Sequence, residues 1–376
     1  MRISIIGAGP RGLSVALYAL YKGHKVTLID PQPLHTWSSS YLISDLEMRS
    51  PLSFDLVTYL EELQEYSLAN FLSIDKGFTT SQVDIEKCSV KVSRHKFCNY
   101  LNYIFNLIKN QINVVEQYVI DVKHNTVLLQ DNSIIESDAV VFCNGYVGKV
   151  NIPNWLKHTN YLSLQTKLQN ILTQPVDYLN KEWLVIGSGQ GSAEIAHYLC
   201  DSLKGKVHWA TKYTNKVYQY PAPDYKLWGV KSALGSYYRS LTTNSERLNY
   251  LSKVKKWQPS ITPYICEKLN QVQDRYSYLD IDNFNSIKTT NINHIVLAAG
   301  IAPSTINLPT STYIPLNKCI PTFPDISKAF RLNVPNTNWY VSGILATAYD
   351  GPRQHSIISA GITAKEIIQD IENGSI

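Results

Sequence analysis

Two segments of the chain share one pattern of apolar and polar residues. In each, a short apolar run leads into a glycine-rich turn, a helical run and a second apolar run. The segments span 2–29 and 183–211, and their glycine turns open at Gly7 and Gly187. A strand, a tight glycine turn, a helix and a strand begin a doubly wound parallel sheet. The pattern therefore predicts an α/β protein with two Rossmann-like domains.

Three further apolar runs predict short buried strands that end at or near a glycine. They span 137–145, 294–300 and 338–344, and a helix predicted from about 356 to 371 follows the last of them. The stretch 213–275 is rich in Tyr, Trp and Pro and predicts loops and helices.

The composition narrows the class of protein without naming a function. Of 376 residues, 44% are hydrophobic and 17% are charged, which is typical of a folded chain. The formal charge of +5 is small for this length and forms no basic cluster, so we expect no nucleic-acid partner. No apolar run reaches the roughly 18 residues of a membrane span, and the N-terminus lacks the pattern of a secretory signal. We therefore expect a cytoplasmic protein with no membrane partner.

Residues that bind metals or form redox dithiols show no motif. The six cysteines are scattered without a Cys-x-x-Cys pair, and the nine histidines show no paired spacing. This pattern predicts no metal site and no dithiol centre, and it favours buried, reduced thiols.

The first glycine turn has the pattern of a dinucleotide site. Its first glycine permits the tight turn, its second lets the backbone approach a pyrophosphate, and its third lets helix and strand pack closely. Backbone amides at the start of the helix face the phosphate charge. An aspartate ends the second apolar run, where its carboxylate can hold ribose hydroxyls. The candidate residues are Gly7, Gly9, Pro10, Arg11, Gly12 and Asp30.

The second glycine turn departs from this pattern at one position. Ser192 stands in place of the third glycine, and serine is small enough for the same packing. No acid ends the following apolar run, since Thr211 and Lys212 stand there. A cation at this place suits the 2′-phosphate of NADPH, and a solvated surface lysine is the alternative. We expect NADPH, with NADH as the alternative, at a site formed by Gly187, Gly189, Gln190, Gly191, Ser192, Thr211 and Lys212.

With both turns in place, the chain resembles the flavoproteins that have two dinucleotide-binding domains. Within that group it resembles the flavin-dependent monooxygenases, of both the flavin-containing and the lysine/ornithine N-hydroxylase type. Residues 187–194 are close to their pattern GxGQSAAE, and residues 94–101 to their pattern RxxFxxYL. Residues 153–161 resemble their linker P…HSxxY, one residue shorter.

The resemblance implies FAD in the first domain and NAD(P)H in a second domain that is inserted into the first. The FAD domain would comprise residues 1–160 and 290–376, and the NAD(P)H domain residues 161–289. The part 213–275 has no counterpart in the pattern and no assigned role.

The resemblance also places residues around the flavin ring. Trp37 stands where these enzymes carry a tryptophan near the ring, and a core tryptophan is the alternative. Arg49 is a catalytic candidate because a guanidinium can stabilise reduced flavin, and an ion pair with Asp45 or Glu47 is the alternative. His355 is a candidate proton donor, against a histidine with no such role. Further cofactor-binding candidates are Met48, Ser50, Gly145, Gly300 and Gly343.

The function implied is that of an FAD-dependent NAD(P)H oxidoreductase, foremost a monooxygenase. A C4a-(hydro)peroxyflavin would hydroxylate a nitrogen or sulfur of a small molecule. A reductase acting on a quinone, ferredoxin, disulfide or iron chelate needs the same motifs, and a dinucleotide sensor is a third hypothesis. The sequence is compatible with a homo-oligomer. Candidate pocket residues are Trp228, Tyr237, Tyr238 and Trp257.

Overall fold

A computed structural model gives the fold of the chain. It describes residues 1–34, 43, 48, 55–74, 92–145, 150–157, 160–211, 233–253, 261, 263–280, 291–300, 323–355 and 357–374. Within these ranges the strands, numbered in chain order, are β1 (Arg2–Ile6), β2 (Lys25–Ile29), β3 (Asn113–Val115), β4 (Val119–Lys123), β5 (Thr126–Leu129), β6 (Ile134–Glu136), β7 (Ala139–Phe142), β8 (Glu182–Ile186), β9 (Lys206–Thr211), β10 (Tyr276–Asp280), β11 (His294–Leu297) and β12 (Trp339–Val341).

The helices of the described ranges are numbered in the same way. They are α1 (Pro10–Tyr21), α2 (Leu68–Ile74), α3 (Arg94–Ile108), α4 (Leu168–Thr173), α5 (Gln190–Asp201), α6 (Ala233–Ser240), α7 (Asn244–Lys253), α8 (Pro263–Asn270), α9 (Thr347–Asp350) and α10 (Ala360–Asn373). Short 3₁₀ turns lie at Glu61–Tyr66, Asn160–Leu164, Pro175–Tyr178, Lys328–Phe330, Gly343–Ala346, Gly351–His355 and Ile357–Ser359. None of the helices in the described ranges is long and apolar enough to cross a membrane.

Two parallel sheets organise the described residues. The first sheet has the strand order β12-β7-β1-β2-β3, and the second sheet has the order β10-β9-β8-β11. Every pair of neighbours in both sheets is parallel. All strands of the second sheet lie between β7 and β12 in the chain, so the second unit is inserted into the first. The predicted fold of two Rossmann-like domains, one inserted into the other, is confirmed.

Each sheet has its own apolar core. The central strands are buried along almost their whole length because both faces of each parallel sheet are packed against other residues. The core of the first sheet includes Ile5 on β1, Leu101 on α3 and Ile367 on α10. The core of the second sheet includes Val185 on β8 and Leu199 on α5. Each glycine turn therefore stands on a separately packed unit.

Helices α6 and α7 come from the part 213–275 and pack against the first sheet. Tyr238 on α6 and Leu248 on α7 belong to the core of the first sheet. Ile265 on α8 belongs to the core of the second sheet. The part 213–275, which the sequence allots to the NAD(P)H domain, thus divides its helices between the two cores. The predicted domain boundaries stay predictions.

A small antiparallel sheet, β4-β5-β6, lies between β3 and β7 in the chain. The apolar pattern did not predict it, because its strands are short and partly exposed, with Ile134 63% exposed.

Candidate functional site

The first glycine turn joins β1 to α1 and is closed by backbone atoms on two sides. Gly7 has φ +105°, and a Cβ there would lie 2.6 Å from the carbonyl oxygen of Cys143. A Cβ on Gly12 would overlap the carbonyl oxygen of Gly7. A Cβ on Gly9 would meet no described atom within 4 Å. The turn is therefore open at Gly9, where Pro10 begins the helix and no side chain caps the helix N-terminus, the end that favours an anion.

Asp30 connects the end of β2 to this turn. Its carboxylate accepts hydrogen bonds from the backbone N–H of Ala8 at 2.8 Å and of Gln32 at 2.9 Å. Beside it, a cavity of about 330 Å³ opens at the carboxyl ends of β2 and β3. Its lining is polar, with one aromatic side chain, and comprises Pro31, Gln32, Glu116, Gln117, Tyr118, Gln130 and Asp131. Asp30 thus lies between the first glycine turn and this cavity.

Two buried polar atoms lie at the carboxyl ends of neighbouring strands in the first sheet. Asn144 follows β7 and Ser342 follows β12, and β7 pairs with β12. Asn144 Oδ1 and Ser342 Oγ are buried and have no hydrogen-bond partner among the described residues. Buried polar groups are nearly always satisfied, so these two atoms are candidates for contact with water or a polar ligand. Gly145, at φ +64°, leaves the space beside Asn144 open.

Arg11 lies in the first turn, but its side chain points into the protein. It is 9% exposed, and its Nη2 donates to the Gln354 carbonyl at 3.1 Å and to Ser359 Oγ at 2.8 Å. Burial lowers the pKa of the guanidinium to about 10, so it stays charged at neutral pH. The side chain thereby holds α1 to the segment before α10. A cofactor contact of Arg11 stays a prediction.

The second glycine turn repeats the geometry of the first. Gly187 has φ +153°, and a Cβ there would overlap the carbonyl oxygen of Ala298. Gly189, the N-cap of α5, is extended at φ −106° and ψ −177°, as Gly9 is at φ −74° and ψ −175°. Ser192 is fully buried and its Oγ donates to the Gly189 carbonyl at 2.7 Å. The serine therefore closes the turn where the first motif has Gly12.

Other predicted residues of the second site lie around its glycine turn, and the structure describes three of them. Thr211 is buried at the end of β9 and its Oγ1 donates to Ser188 Oγ at 2.9 Å. Gly191 lies in the first turn of α5, and a Cβ there would meet no described atom within 4 Å. Gly300 follows β11 at φ +86°, and its carbonyl accepts from Asn151 N–H at 2.9 Å. Lys212 lies outside the described residues, so its role stays a prediction.

Between residues 34 and 55 two positions are described, Ile43 and the cofactor-binding candidate Met48, and they contact different units. Met48 is half-buried against the core of the first sheet, and its N–H donates to the Val92 carbonyl at 2.8 Å. Ile43 packs against the core of the second sheet. Ile43 and Met48 therefore contact the cores of different units. The candidates Trp37, Arg49 and Ser50 lie outside the described residues.

The segment after β12 is more polar than the sequence suggested. Gly343, at φ +78°, donates its N–H to Gln354 Oε1 at 3.3 Å. Asp350 is fully buried and accepts from Gln354 Nε2 at 2.6 Å and from Arg353. His355 ends the 3₁₀ turn Gly351–His355, and its side chain lies outside the described residues. The last helix begins at Ala360, four residues after the predicted start, because a 3₁₀ turn fills Ile357–Ser359.

Helix α6 is fixed onto that segment by polar contacts. Tyr238 is fully buried, and its hydroxyl donates to the Thr347 carbonyl at 2.9 Å. Arg239 forms an ion pair with Asp350 at 3.8 Å. Tyr237 is 52% exposed and stacks edge-on against Tyr250. Of the candidate pocket residues, the structure thus buries Tyr238 in the core and exposes Tyr237, while Trp228 and Trp257 lie outside the described residues.

Two charged residues that the sequence candidates omit link the units. Arg94 begins α3, and its Nη2 lies 2.6 Å from each carboxylate oxygen of Glu194 on α5. Both residues lie inside the motifs that carry the family resemblance. Their opposite charges at fixed motif positions could have marked them as candidates, although not as partners of each other. Among the described residues, no group of three or more His, Cys, Asp and Glu side chains is placed to hold a metal ion.

Comparisons with known proteins agree with this geometry. The family model described as L-lysine 6-monooxygenase/L-ornithine 5-monooxygenase matches residues 2–295. A search of curated protein sequences finds no match. The structure is similar to the reduced form of an ornithine hydroxylase from Pseudomonas aeruginosa, with a TM-score of 0.78 and 16% identity over 100% of this chain and 99% of that one.

Two further solved structures show the same fold. An ornithine N-hydroxylase from Kutzneria sp. 744, solved with reduced FAD, NADP⁺ and L-ornithine, gives a TM-score of 0.78 at 15% identity, over 100% of this chain and 99% of that one. A cadaverine monooxygenase from Erwinia amylovora, solved with FAD, gives 0.76 at 16% identity, over 99% of this chain and 94% of that one. The similarity covers both sheets and is not confined to one glycine turn.

Proposed function

This chain belongs to the L-lysine 6-monooxygenase/L-ornithine 5-monooxygenase family, and we propose that it is an FAD- and NADPH-dependent monooxygenase that hydroxylates an amine nitrogen of a small aliphatic substrate. The resemblance noted in the sequence is thereby confirmed. The broader expectation of a nitrogen or sulfur substrate narrows to nitrogen because the family acts on amines.

The observation that carries the proposal is the pair of matching glycine turns, one on each sheet. Both are closed by a neighbouring strand at the first glycine, at Gly7 and Gly187, and both have an extended glycine at the N-cap of the following helix. Two such turns in one chain can hold two dinucleotides at once. A reaction between two bound dinucleotides, one a flavin and one a nicotinamide, requires that arrangement.

The first turn and its surroundings fit FAD. The pyrophosphate would lie over Gly9, and the Asp30 carboxylate would accept from the ribose hydroxyls next to the cavity. Asn144 and Ser342 would pair their buried polar atoms with the cofactor at the strand ends. FAD bound there supplies the acceptance of hydride and the activation of dioxygen. The chain contributes binding, orientation and exclusion of water.

The second turn fits NADPH. The amides at the start of α5 would face the pyrophosphate, and Lys212 would hold the 2′-phosphate at the end of β9. Helices α6 and α7 pack on the segment after β12, through Tyr238, Arg239 and Arg247, and they would restrict the entry of water and select the size of the substrate. Substrates of the required kind are L-lysine, L-ornithine and cadaverine, each with a terminal amine on an aliphatic chain.

The purified protein with FAD tests this proposal. With NADPH and at least one of these three amines, we expect oxygen uptake and the formation of one hydroxylamine per NADPH oxidised. The control is the same assay with an alcohol or a thioether of similar length, which should yield no hydroxylated product.

The outcomes separate the three classes of function. NADPH oxidation that depends on an artificial electron acceptor, with no hydroxylamine from any amine, would identify a reductase. Binding of both dinucleotides without turnover would identify a sensor. Either result would contradict the proposed monooxygenase.

A further inference from the structure

An ion pair joins the two Rossmann-like units of this protein. Arg94 belongs to α3, which packs in the core of the first sheet, and Glu194 belongs to α5, which packs in the core of the second. Arg94 Nη2 lies 2.6 Å from both Oε1 and Oε2 of Glu194. Gln190, at the start of α5, donates from Nε2 to Glu194 Oε1 at 2.8 Å. The contact therefore runs from one unit to the glycine turn of the other.

Burial of this ion pair costs free energy that the folding of each helix alone would not recover. The Glu194 side chain is 3% exposed and that of Arg94 is 23% exposed, so a carboxylate is almost fully removed from water. A buried charge is destabilising unless it is paired. Arg94 is the first residue of α3, directly after the N-cap Ser93. A cation there is repelled by the positive end of the helix dipole. Neither helix gains from its own charged residue as much as the contact between the units does.

Each end of the pair adjoins a part of the site. Gln190 follows Gly189 in the turn that the proposed function gives to NADPH. On the other side, Val92 lies two residues before Arg94. The Val92 carbonyl accepts a hydrogen bond from the N–H of Met48, a predicted cofactor-binding residue. Hydride transfer requires the two rings in contact, and a displacement of about 1 Å lowers the rate up to roughly a hundredfold. A rigid contact at this position would fix that distance.

We propose that Arg94 and Glu194 are positioning residues, which hold the NADPH-binding turn in register with the flavin for hydride transfer. The proposal rests on the proposed function, because it assumes that NADPH reduces a flavin in this protein. It makes one specific claim. Loss of the pair changes the rate of hydride transfer between bound cofactors more than it changes the binding of either cofactor.

The test is anaerobic stopped-flow reduction of the FAD-loaded enzyme by NADPH. Glu194→Gln keeps the shape of the side chain and removes its charge. We expect the rate constant at saturating NADPH to fall roughly ten- to hundredfold, with a much smaller change in the Kd for NADPH and in FAD content. Glu182→Gln is the matched control, because Glu182 pairs with His208 at 2.6 Å within the second sheet, at the opposite end of β8 from the glycine turn. Its reduction rate should equal that of the wild type.

Two further variants keep the test decisive. The double variant Arg94→Glu with Glu194→Arg reverses the pair and should recover most of the lost rate, whereas each single reversal should not. Arg94→Lys keeps the cation and should lose less rate than Arg94→Gln, and this comparison serves if Glu194→Gln does not fold. Hydrogen–deuterium exchange of the FAD-loaded protein without NADPH should be faster in peptides 94–108 and 190–201 of Glu194→Gln, and unchanged in Glu182→Gln.

The results distinguish this inference from the function beneath it. One outcome is that NADPH reduces the wild-type flavin and that the flavins of Glu194→Gln and Arg94→Gln are reduced as fast as the wild type. This outcome refutes the positioning role and leaves the proposed function intact. If the reduction rate, the affinity for NADPH and the FAD content all decline together and charge reversal restores nothing, the pair is structural only, and the inference is refuted. If NADPH does not reduce the wild-type flavin, the proposed function fails, and the inference fails with it.

Discussion

Substitution of two glycines in the first turn should separate cofactor binding from folding. A Cβ on Gly9 would meet no described atom within 4 Å, whereas a Cβ on Gly12 would overlap the backbone carbonyl of Gly7. Gly9→Ala therefore leaves the protein's own packing intact and places a methyl group where the pyrophosphate of FAD must lie. Gly12→Ala forces β1 and α1 apart. The two variants add the same group three residues apart and should fail in different ways.

The magnitudes follow from the position of each glycine. Gly9→Ala gains about 0.4–1 kcal/mol from a less flexible unfolded chain and loses a similar amount because alanine is a poor N-cap. Its free energy of unfolding without cofactor should therefore change by less than about 1 kcal/mol. Gly12→Ala should lose about 1–3 kcal/mol, as overpacked cores do. Displacing one charge-assisted hydrogen bond to phosphate removes about 1.5–3 kcal/mol of binding, which weakens the Kd for FAD by Gly9→Ala roughly ten- to hundredfold.

Urea unfolding of the apoproteins and fluorescence titration with FAD measure both quantities. Gly191→Ala is the control for cofactor binding, because it adds a methyl group at an open position beside the second turn and should leave FAD affinity unchanged. A Gly9→Ala protein that binds FAD as tightly as the wild type would refute the placement of the pyrophosphate. A Gly12→Ala protein as stable as the wild type would refute the close packing of α1 on β1.

Three further predictions concern other parts of the molecule. Lys212→Ala should raise the KM for NADPH roughly ten- to hundredfold and leave that for NADH nearly unchanged, since one charge-assisted hydrogen bond to the 2′-phosphate is worth about 1.5–3 kcal/mol; equal use of both cofactors by the wild type would contradict it. Arg49→Ala should slow flavin reduction in stopped-flow traces while FAD stays bound, and unchanged traces would leave Arg49 in an ion pair with Asp45 or Glu47. Burial raises the pKa of Asp55 to about 6, despite hydrogen bonds from the backbone N–H of Leu68 and Val57. Protonated Asp55 therefore contributes stability that is fully present below the unfolded pKa of about 4 and is lost as pH rises through 6. The free energy of unfolding of the wild type relative to Asp55→Asn should therefore fall by about 2–3 kcal/mol between pH 4 and pH 7, and a constant difference in urea titrations would show that Asp55 titrates normally.

The glycine turns could be predicted from the sequence because their constraints are local. A Cβ on Gly12 would overlap the carbonyl oxygen of Gly7 in the same motif, and Gly7 and Gly187 have φ of +105° and +153°, so the requirement for glycine can be seen in the motif itself. Ser192 shows how far this goes: its small side chain fits because its hydroxyl donates to the Gly189 carbonyl one turn back. The confirmed strands β1, β2, β8 and β9 follow from the same local patterns, since most of the buried positions in each are apolar.

Contacts between distant segments could not be predicted in this way. Tyr238 is fully buried and Tyr237 is half exposed, although the two are adjacent aromatic residues with no pattern around them to tell them apart. Arg94 and Glu194 are both in recognisable motifs, but nothing in either motif says that the two side chains meet. Burial and pairing at these positions depend on how distant segments pack together. The order of apolar residues along one segment does not encode that packing.

The packing of the inserted unit explains why loss of the Arg94–Glu194 pair should slow hydride transfer without separating the cofactors. The chain passes from β9 in the second sheet to α6 and α7 on the first core, and returns to the second core at α8. Tyr238 anchors that excursion through its hydroxyl, at 2.9 Å from the Thr347 carbonyl. The second unit is thus held to the first by covalent and buried contacts that do not involve the ion pair. In the proposed arrangement, loss of the pair would leave the second glycine turn beside the flavin but over a wider range of distances, and hydride transfer is the step most sensitive to that range.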